Sequence, residues 1–410
     1  MTVRPLFPAG AAMSVGPLLD ELAADPTDGP LVVGDDRVRD FLVAFGKRLL
    51  APTVARRFPE LGSLGFFLRR AEIDGALAGL TEPADAVRSP RGTVFHVPPA
   101  NVDTIFVYSW ALAALAGNRN VVRISSRSAG AAEVIVKALN DTLPAAHPAI
   151  AQTQRMVTYG RDDAVTSALS RACDLRVIWG GDASVNDLRR HPLPPSARDL
   201  TFPDRSSFAV LSADGWGAAA PAERLAVAEG LYNDVYWFDQ AACSSPRALL
   251  WVGPEQSVAR ARDELVEALV EVVARRRPAV DASMAVQGRV STYGLAAEGK
   301  ASRIRFHGNE VTSVELADPE AVAREWLGVG MIAHARVDTL ADLVPLVQRR
   351  DQTLSHFGFS RQELTEFVRL VGGRGVDRLV PIGRALAFSS VWDGYELLRE
   401  FTRLTTIAIR

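Results

Sequence analysis

The sequence predicts an α/β fold of two successive sheet-bearing units, led by a helical segment and closed by a terminal strand. Three observations carry that prediction. From residue 93 onward, short runs rich in β-branched and aromatic residues alternate with runs of helical period. The strand-like runs are apolar on both faces, as strands of a parallel sheet covered by helices must be. The alternation is interrupted by the Pro-rich stretch from Pro192 to Pro203 and then resumes, which places a boundary near residue 205, where few contacts cross. With 410 residues, 48% of them hydrophobic, the chain has apolar surface for more than one core.

The elements follow in order. Residues 1–90 show helical periodicity over 38–50 and 61–80, broken by Pro and Gly turns, and read as a mainly helical N-terminal segment. Residues 91–205 place strands at 93–97, 120–124, 155–159 and 175–179, with helices at 104–116, 129–140, 163–171 and 184–189 between and after them. Such βαβ repetition describes a Rossmann-type nucleotide-binding domain. Residues 206–384 repeat the pattern with strands at 207–211, 248–252, 331–337 and 354–359 and helices at 222–237, 257–275 and 361–371, forming a second α/β domain. Residues 385–410 end in a strand-like run, 403–409. Left unpaired it would be an exposed edge, so it is expected to join another element or another subunit.

Charge and cysteine content exclude several function classes. Forty-six basic against 48 acidic residues leave a net charge of −2, so nothing points to nucleic acid or an anionic membrane surface. The longest apolar run, 104–117, carries Ser109 and is too short to cross a bilayer. The first ten residues break their apolar content with Arg4, Pro5 and Pro8, so no export signal is read there. Cys173 and Cys243 are far apart and form no C-x-x-C pair, giving neither a disulfide framework nor a zinc site. The six histidines show no ligand spacing. No metal is expected, and a reducing cytoplasm is the expected location.

Four stretches carry chemistry. Cys243, in Asp239-Gln240-Ala241-Ala242-Cys243-Ser244-Ser245-Pro246, lies between a helical run and an apolar strand run, a junction where a thiol can meet backbone donors and charge. Read alone, it also fits a small buried apolar residue. Asn101 follows Pro98-Pro99 at the expected carboxyl end of a strand, which is where open α/β sheets place ligands; a plain turn residue would look the same. Arg123, Ser126 and Arg127 close the next strand, as phosphate ligands or as solvated side chains. Gly180-Gly181-Asp182 stands between a strand and a helix, where glycine permits close approach of a ligand to backbone.

In this order, the Pro-x-Asn turn, the Gly117-Asn118 step into a strand ending in Arg123, and the Cys243 segment resemble the aldehyde dehydrogenase superfamily. Within it, Arg57-Phe58-Pro59-Glu60-Leu61, the segment around Cys243, and Pro381-Ile382-Gly383 with Trp392-Asp393-Gly394-Tyr395 resemble the acyl-CoA reductases of the LuxC type, first associated with bacterial bioluminescence. The resemblance implies an aldehyde-dehydrogenase-like fold with a cofactor domain, a catalytic domain and a C-terminal oligomerisation strand. It implies that Cys243 is the nucleophile and that the Asn101 amide, with the Cys243 backbone N–H, forms an oxyanion hole, each donor typically worth about 3 kcal/mol. It further implies that Arg123, Ser126, Arg127, Gly180 and Gly181 bind the nicotinamide cofactor and that Glu325, in Glu325-Trp326-Leu327-Gly328, holds its ribose. A plain helix-end glutamate is the other reading of Glu325. The arginines favour NADPH, with NADH possible.

One departure bears on the reaction. Where hydrolytic aldehyde dehydrogenases carry a Glu-Leu-Gly-Gly segment supplying a base, this chain has Thr201-Phe202-Pro203-Asp204-Arg205. The resemblance therefore implies reduction of an acyl thioester, on CoA or a carrier protein, to an aldehyde through an acyl-cysteine. The alternatives are a CoA-acylating or hydrolytic aldehyde dehydrogenase running oxidatively, an acyl phosphate reductase, or a non-catalytic cofactor-binding subunit. A homo-oligomer is expected, and an acyl-activating partner enzyme is possible.

Overall fold

The computed structural model describes residues 1–99, 104–126, 130–276 and 280–409. The chain divides into two units: Met1–Pro203 with Phe388–Arg410, and Asp204–Ala387.

The first unit is a seven-stranded sheet. Its strands are β1 (Thr2–Phe7) and β2 (Met13–Ser14) at one edge, then β4 (Thr93–Val97), β5 (Arg119–Arg123), β6 (Gln154–Thr158), β7 (Leu175–Trp179) and β8 (Arg198–Phe202), while β3 (Ala86–Pro90) lies outside it. The order is β2-β1-β6-β5-β4-β7-β8, parallel from β6 to β8 and antiparallel at β1. From β4 the chain winds outward through β5 and β6, then crosses back to β7 on the other side of β4. That reversal creates a crevice at the carboxyl ends of β4 and β7.

Within this unit the helix Ile105–Leu115 is buried along its whole length, which explains its lack of a polar face. Trp110 sits against Phe7, Phe41 and Phe45. The polar groups beneath are closed into a network. His96 Nδ1 meets the Ser109 hydroxyl and Nε2 meets Asn120 Oδ1, both at 2.9 Å. Asn120 Nδ2 and Trp110 Nε1 each donate to Gln154 Oε1 at 2.8 Å. Paired in this way the groups lock β4, β5 and β6 to the helix at little desolvation cost. Burial pushes the His96 pKa down to about 4, so its ring is neutral.

The second unit carries another seven-stranded sheet: β9 (Ser206–Ser212), β10 (Pro246–Val252), β11 (Ala301–His307), β12 (Val311–Leu316), β13 (Met331–Val337), β14 (Asp351–Phe357) and β15 (Arg378–Pro381). The order is β11-β12-β13-β10-β9-β14-β15, with only β11 antiparallel to its neighbour. Both faces are covered. One packs on the helices Pro221–Tyr236 and Glu255–Arg276 through Leu211, Leu249 and Trp251, the other on Arg361–Val371 through Val210, Leu250 and Leu354.

The closing segment of the first unit adds a hairpin, β16 (Val391–Trp392) with β17 (Tyr395–Glu396), and then β18 (Thr402–Thr406). β18 pairs antiparallel with β3, from Thr402 against Pro90 to Thr406 against Ala86. The expected terminal strand is therefore present and has a partner within its own chain.

Candidate active site

The helix Pro221–Tyr236 leads into the Cys243 turn. Beyond its end, Asp239 and Gln240 take positive φ values of 49° and 59°, a left-handed conformation that costs side-chain-bearing residues about 1 kcal/mol each or more. The turn is held by several bonds. Gln240 N–H donates to the Val235 carbonyl at 2.7 Å, and the buried Gln240 side chain donates to the Pro246 and Met331 carbonyls at 2.8 and 3.1 Å. Trp326 Nε1 donates to the Asp239 carbonyl at 2.8 Å. The result reverses the chain sharply and sets Cys243 just ahead of β10. There the Cys243 carbonyl accepts from Ser207 Oγ at 2.7 Å, and that oxygen accepts in turn from Thr353 N–H at 3.1 Å.

The two cysteines are sharply different. Cys173 is buried at 2% exposure, and burial pushes its thiol pKa up to about 12, which leaves it inert. Cys243 is half-buried, and Gln352 Nε2 approaches its sulfur at 3.4 Å. Gln352 is fully buried on β14, so its amide is fixed in place. Arg247 adds a desolvated cation. Burial lowers the Arg247 pKa, and the charge of the neighbouring Cys243 acts in the opposite direction. Arg247 is aimed by donating to the Arg324 carbonyl. Arg324 itself forms a two-pronged pair with buried Asp351, at 2.8 and 3.0 Å. An amide donor and a half-buried guanidinium both favour negative charge on sulfur or on an oxygen attached beside it.

The helix before the turn also anchors the segment that follows β15. Asp234, 1% exposed, accepts from Gly383 N–H at 2.7 Å and Ala385 N–H at 3.0 Å. Burial raises its pKa to about 7, and the two backbone donors oppose that rise. The approach is close enough that a Cβ on Gly230 would lie 3.0 Å from the Gly383 Cα, so both positions require glycine. This gives Pro381-Ile382-Gly383 a structural meaning.

In the first unit, Arg123 ends β5, Ser126 lies exposed just beyond it, and Gly180-Gly181 join β7 to the helix Asp182–Arg189, with Gly181 as its N-cap. All four therefore stand at the carboxyl edge of the parallel strands. The Arg123 guanidinium lies 4.7 Å over the Tyr159 ring, and its buried Nε has no hydrogen-bonding partner among the described residues. A cleft of about 360 Å³ adjoins, lined among others by Arg4, Ser125, Ser126, Lys137 and Thr158. A cation with a spare donor, hydroxyls and a helix N-terminus at the crevice fit the phosphates and ribose of a dinucleotide.

Asn101 and Arg127 lie outside the described residues. Glu325 is in a loop, 72% exposed, with Arg350 at 3.9 Å, and is not at a helix end. Among the described residues no group of three His, Cys, Asp or Glu side chains could hold a metal, and no helix is long and apolar enough to cross a membrane. Gln352, Arg247 and Asp234 are the residues that sequence reading missed. Gln352 meets Cys243 through the packing of β14 beside the turn, Arg247 stands close by in the chain at the start of β10, and Asp234 holds the helix before the turn to the segment after β15.

The model of the acyl-CoA reductase (LuxC) family matches residues 80–404, more than half of the chain. A long-chain acyl-protein thioester reductase of Photorhabdus luminescens is 24% identical over 324 residues, covering 77% of this chain and 63% of that protein. Long-chain acyl-protein thioester reductase 2 of Photobacterium leiognathi is 26% identical over 181 residues, 44% of this chain and 36% of its own. The chain thus spans less than two thirds of the length of these relatives. Among solved structures, aldehyde dehydrogenase 21 from Physcomitrella patens superposes with a TM-score of 0.69 at 13% identity, over 97% of this chain and 91% of that one. An NAD-dependent aldehyde dehydrogenase from Sinorhizobium meliloti gives 0.67 at 14% identity, over 96% and 86%. The fold is that of the aldehyde dehydrogenases.

Proposed function

The chain belongs to the acyl-CoA reductase (LuxC) family, and from that premise we propose that it reduces an acyl thioester to an aldehyde, carrying the acyl group on Cys243. The observation that carries this reading is the half-buried Cys243 thiol beside the fixed Gln352 amide and the Arg247 cation.

Cys243 sulfur attacks the thioester carbonyl carbon, and negative charge gathers on the carbonyl oxygen. Fixed donors stabilise that charge without reorganising; the Cys243 N–H and the Asn101 amide are the proposed pair. Collapse breaks the substrate C–S bond, the leaving thiol takes the proton lost by Cys243, and an acyl-cysteine remains. A reduced nicotinamide bound at the carboxyl edge of the first sheet would supply the hydride that reduces the acyl carbon. Collapse of the resulting thiohemiacetal alkoxide breaks the Cys243 C–S bond and releases the aldehyde, and the Cys243 thiolate takes up one proton from solvent. One difficult step becomes two easier ones.

Arg123, Ser126, Arg127, Gly180 and Gly181 are proposed to hold the cofactor and Glu325 to engage its ribose. Arg123 favours NADPH over NADH, because a guanidinium matches a 2′-phosphate. The names of the relatives support a long acyl chain on a protein thiol, and the description of the family supports a CoA thiol. Assembly into a homo-oligomer and action with an acyl-activating enzyme belong to the same proposal. The only carboxylate in the 201–205 segment is that of Asp204, which is exposed, and this supports reduction over hydrolysis. The test is NADPH oxidation with aldehyde trapping across acyl-CoA and acyl-carrier thioesters of increasing length. Trapped aldehyde matching the NADPH consumed is expected; free acid or net thioester synthesis from aldehyde as the sole activity would overturn the reductive direction.

A further inference from the structure

The second sheet carries a cleft of about 580 Å³ that the thioester chemistry does not use. Its walls come from the first turns of the helix Glu255–Arg276 and from β10 to β13, and include Trp251, Arg262, Arg303, Glu315, His334 and Arg336. Cys243 precedes the start of β10, whereas Trp251 lies near the end of that strand. Cleft and thiol therefore occupy opposite ends of the sheet, and the cleft takes the carboxyl edge, where parallel sheets hold ligands.

His334 is the informative wall residue. It is 3% exposed, and Trp251 Nε1 donates to its Nδ1 at 3.2 Å. That bond makes Nδ1 the acceptor, so the neutral ring carries its hydrogen on Nε2. Burial first, and the Arg262 charge second, push the His334 pKa down to about 3, which keeps the ring neutral. Nε2 is buried and has no hydrogen-bonding partner among the described residues. A buried donor left in that state carries an unrecovered desolvation cost, which an acceptor reaching it from the cleft would offset.

The charges around it set the sign of the ligand. Three arginines line the cleft (Arg262, Arg303, Arg336) against two glutamates, Glu255 and Glu315. Glu315 is engaged by Arg262 at 2.8 Å and by Arg303 and Arg305 at 3.8 Å, and Arg305 also meets Asp263 at 3.2 Å. Glu255 is exposed, and Arg336 meets the exposed Asp338 and donates to the Gly253 carbonyl at 3.0 Å. His334 and Arg336 alternate along β13 and so share one face of the sheet. Guanidinium and imidazole N–H groups are donors only, and they select acceptor-rich anions.

We propose that this cleft is a second ligand site that binds a phosphate or carboxylate group, with His334 Nε2–H donating to it and Arg336 and Arg303 pairing with its charge. The site is independent of the reaction assigned to Cys243.

The test uses the full chain labelled with ¹⁵N-histidine and titrated with inorganic phosphate, followed by imidazole NMR. The His334 signal is assigned by its loss in His334→Gln. The expected result is a saturable shift of that signal, weakened about tenfold or more in Arg303→Gln/Arg336→Gln. Both arginines are partly exposed, at 58% and 37%, so the double variant is expected to keep the wild-type unfolding temperature. Acetate saturating the same signal more tightly than phosphate would assign the site to a carboxylate. No saturable shift with either anion, or equal affinity in the double variant, would overturn the proposal. Loss of the shift in Cys243→Ala would also overturn it, by tying the anion to the thiol.

Discussion

Gln352 Nε2 stands 3.4 Å from the sulfur of Cys243, although the two residues are 109 positions apart. β14 and the turn before β10 bring them together, and Gln352 is fully buried there. Gln352→Leu is expected to slow thioester reduction about 10- to 100-fold, since a hydrogen bond to a charged group contributes about 1.5–3 kcal/mol. Alkylation of Cys243 by iodoacetamide should slow in parallel. Unchanged alkylation together with lost turnover would mean that the amide serves something other than the sulfur.

Arg123 separates the two cofactors. If its guanidinium pairs with a 2′-phosphate, Arg123→Gln raises the KM for NADPH about tenfold or more and leaves that for NADH nearly unmoved. Steady-state kinetics with both cofactors would decide. Equal losses for the two would remove the phosphate role.

Asp234 fixes the segment after β15 to the helix that leads into the Cys243 turn. Asp234→Ala leaves two buried backbone N–H groups without acceptors and should cost about 2–4 kcal/mol in urea unfolding, with Asp234→Asn milder. The pH dependence has a definite sign. A carboxyl raised from 3.8 to about 7 binds more protons folded than unfolded across that window, so its contribution falls as pH rises from about 4 to 7. The stability gap between wild type and Asp234→Asn should therefore narrow over the same range.

His96 acts in the opposite direction. Its ring titrates at about 4 when folded against 6.5 in the unfolded chain, so the unfolded state binds the extra proton between those values. Stability of the first sheet should fall as pH drops from about 6.5 to 4, by at most about 3 kcal/mol. Hydrogen exchange at the amides of β4 and β5 would read this, and His96→Gln should flatten the profile. A flat wild-type profile would mean that the ring is solvated in the folded protein.

Much of the parallel framework was legible because its strands are short β-rich runs between helical ones. The predicted strand 175–179 and helix 163–171 are found as β7 and Asp163–Arg171. The N-terminal strand was not legible. β1 contains Pro5, lies antiparallel at the sheet edge and pairs with β6, Arg4 against Thr158, so its stability comes from a partner far along the chain. The partner of β18 was hidden for the same reason. At the proposed site, Cys243 draws attention by its junction, whereas Gln352 and Asp234 do not. A glutamine in a β-rich run and an aspartate in a helical one carry no sign of which face is buried until the sheet order and helix packing are known.

The most direct measurement is the intact mass of the protein after incubation with a long-chain acyl-CoA in the absence of nicotinamide. The expected result is an increase of one acyl group, mapped by peptide analysis to Cys243, and discharge of that group as aldehyde when NADPH is added. An active enzyme that shows no such adduct, or one that carries the acyl group on another residue, would contradict it.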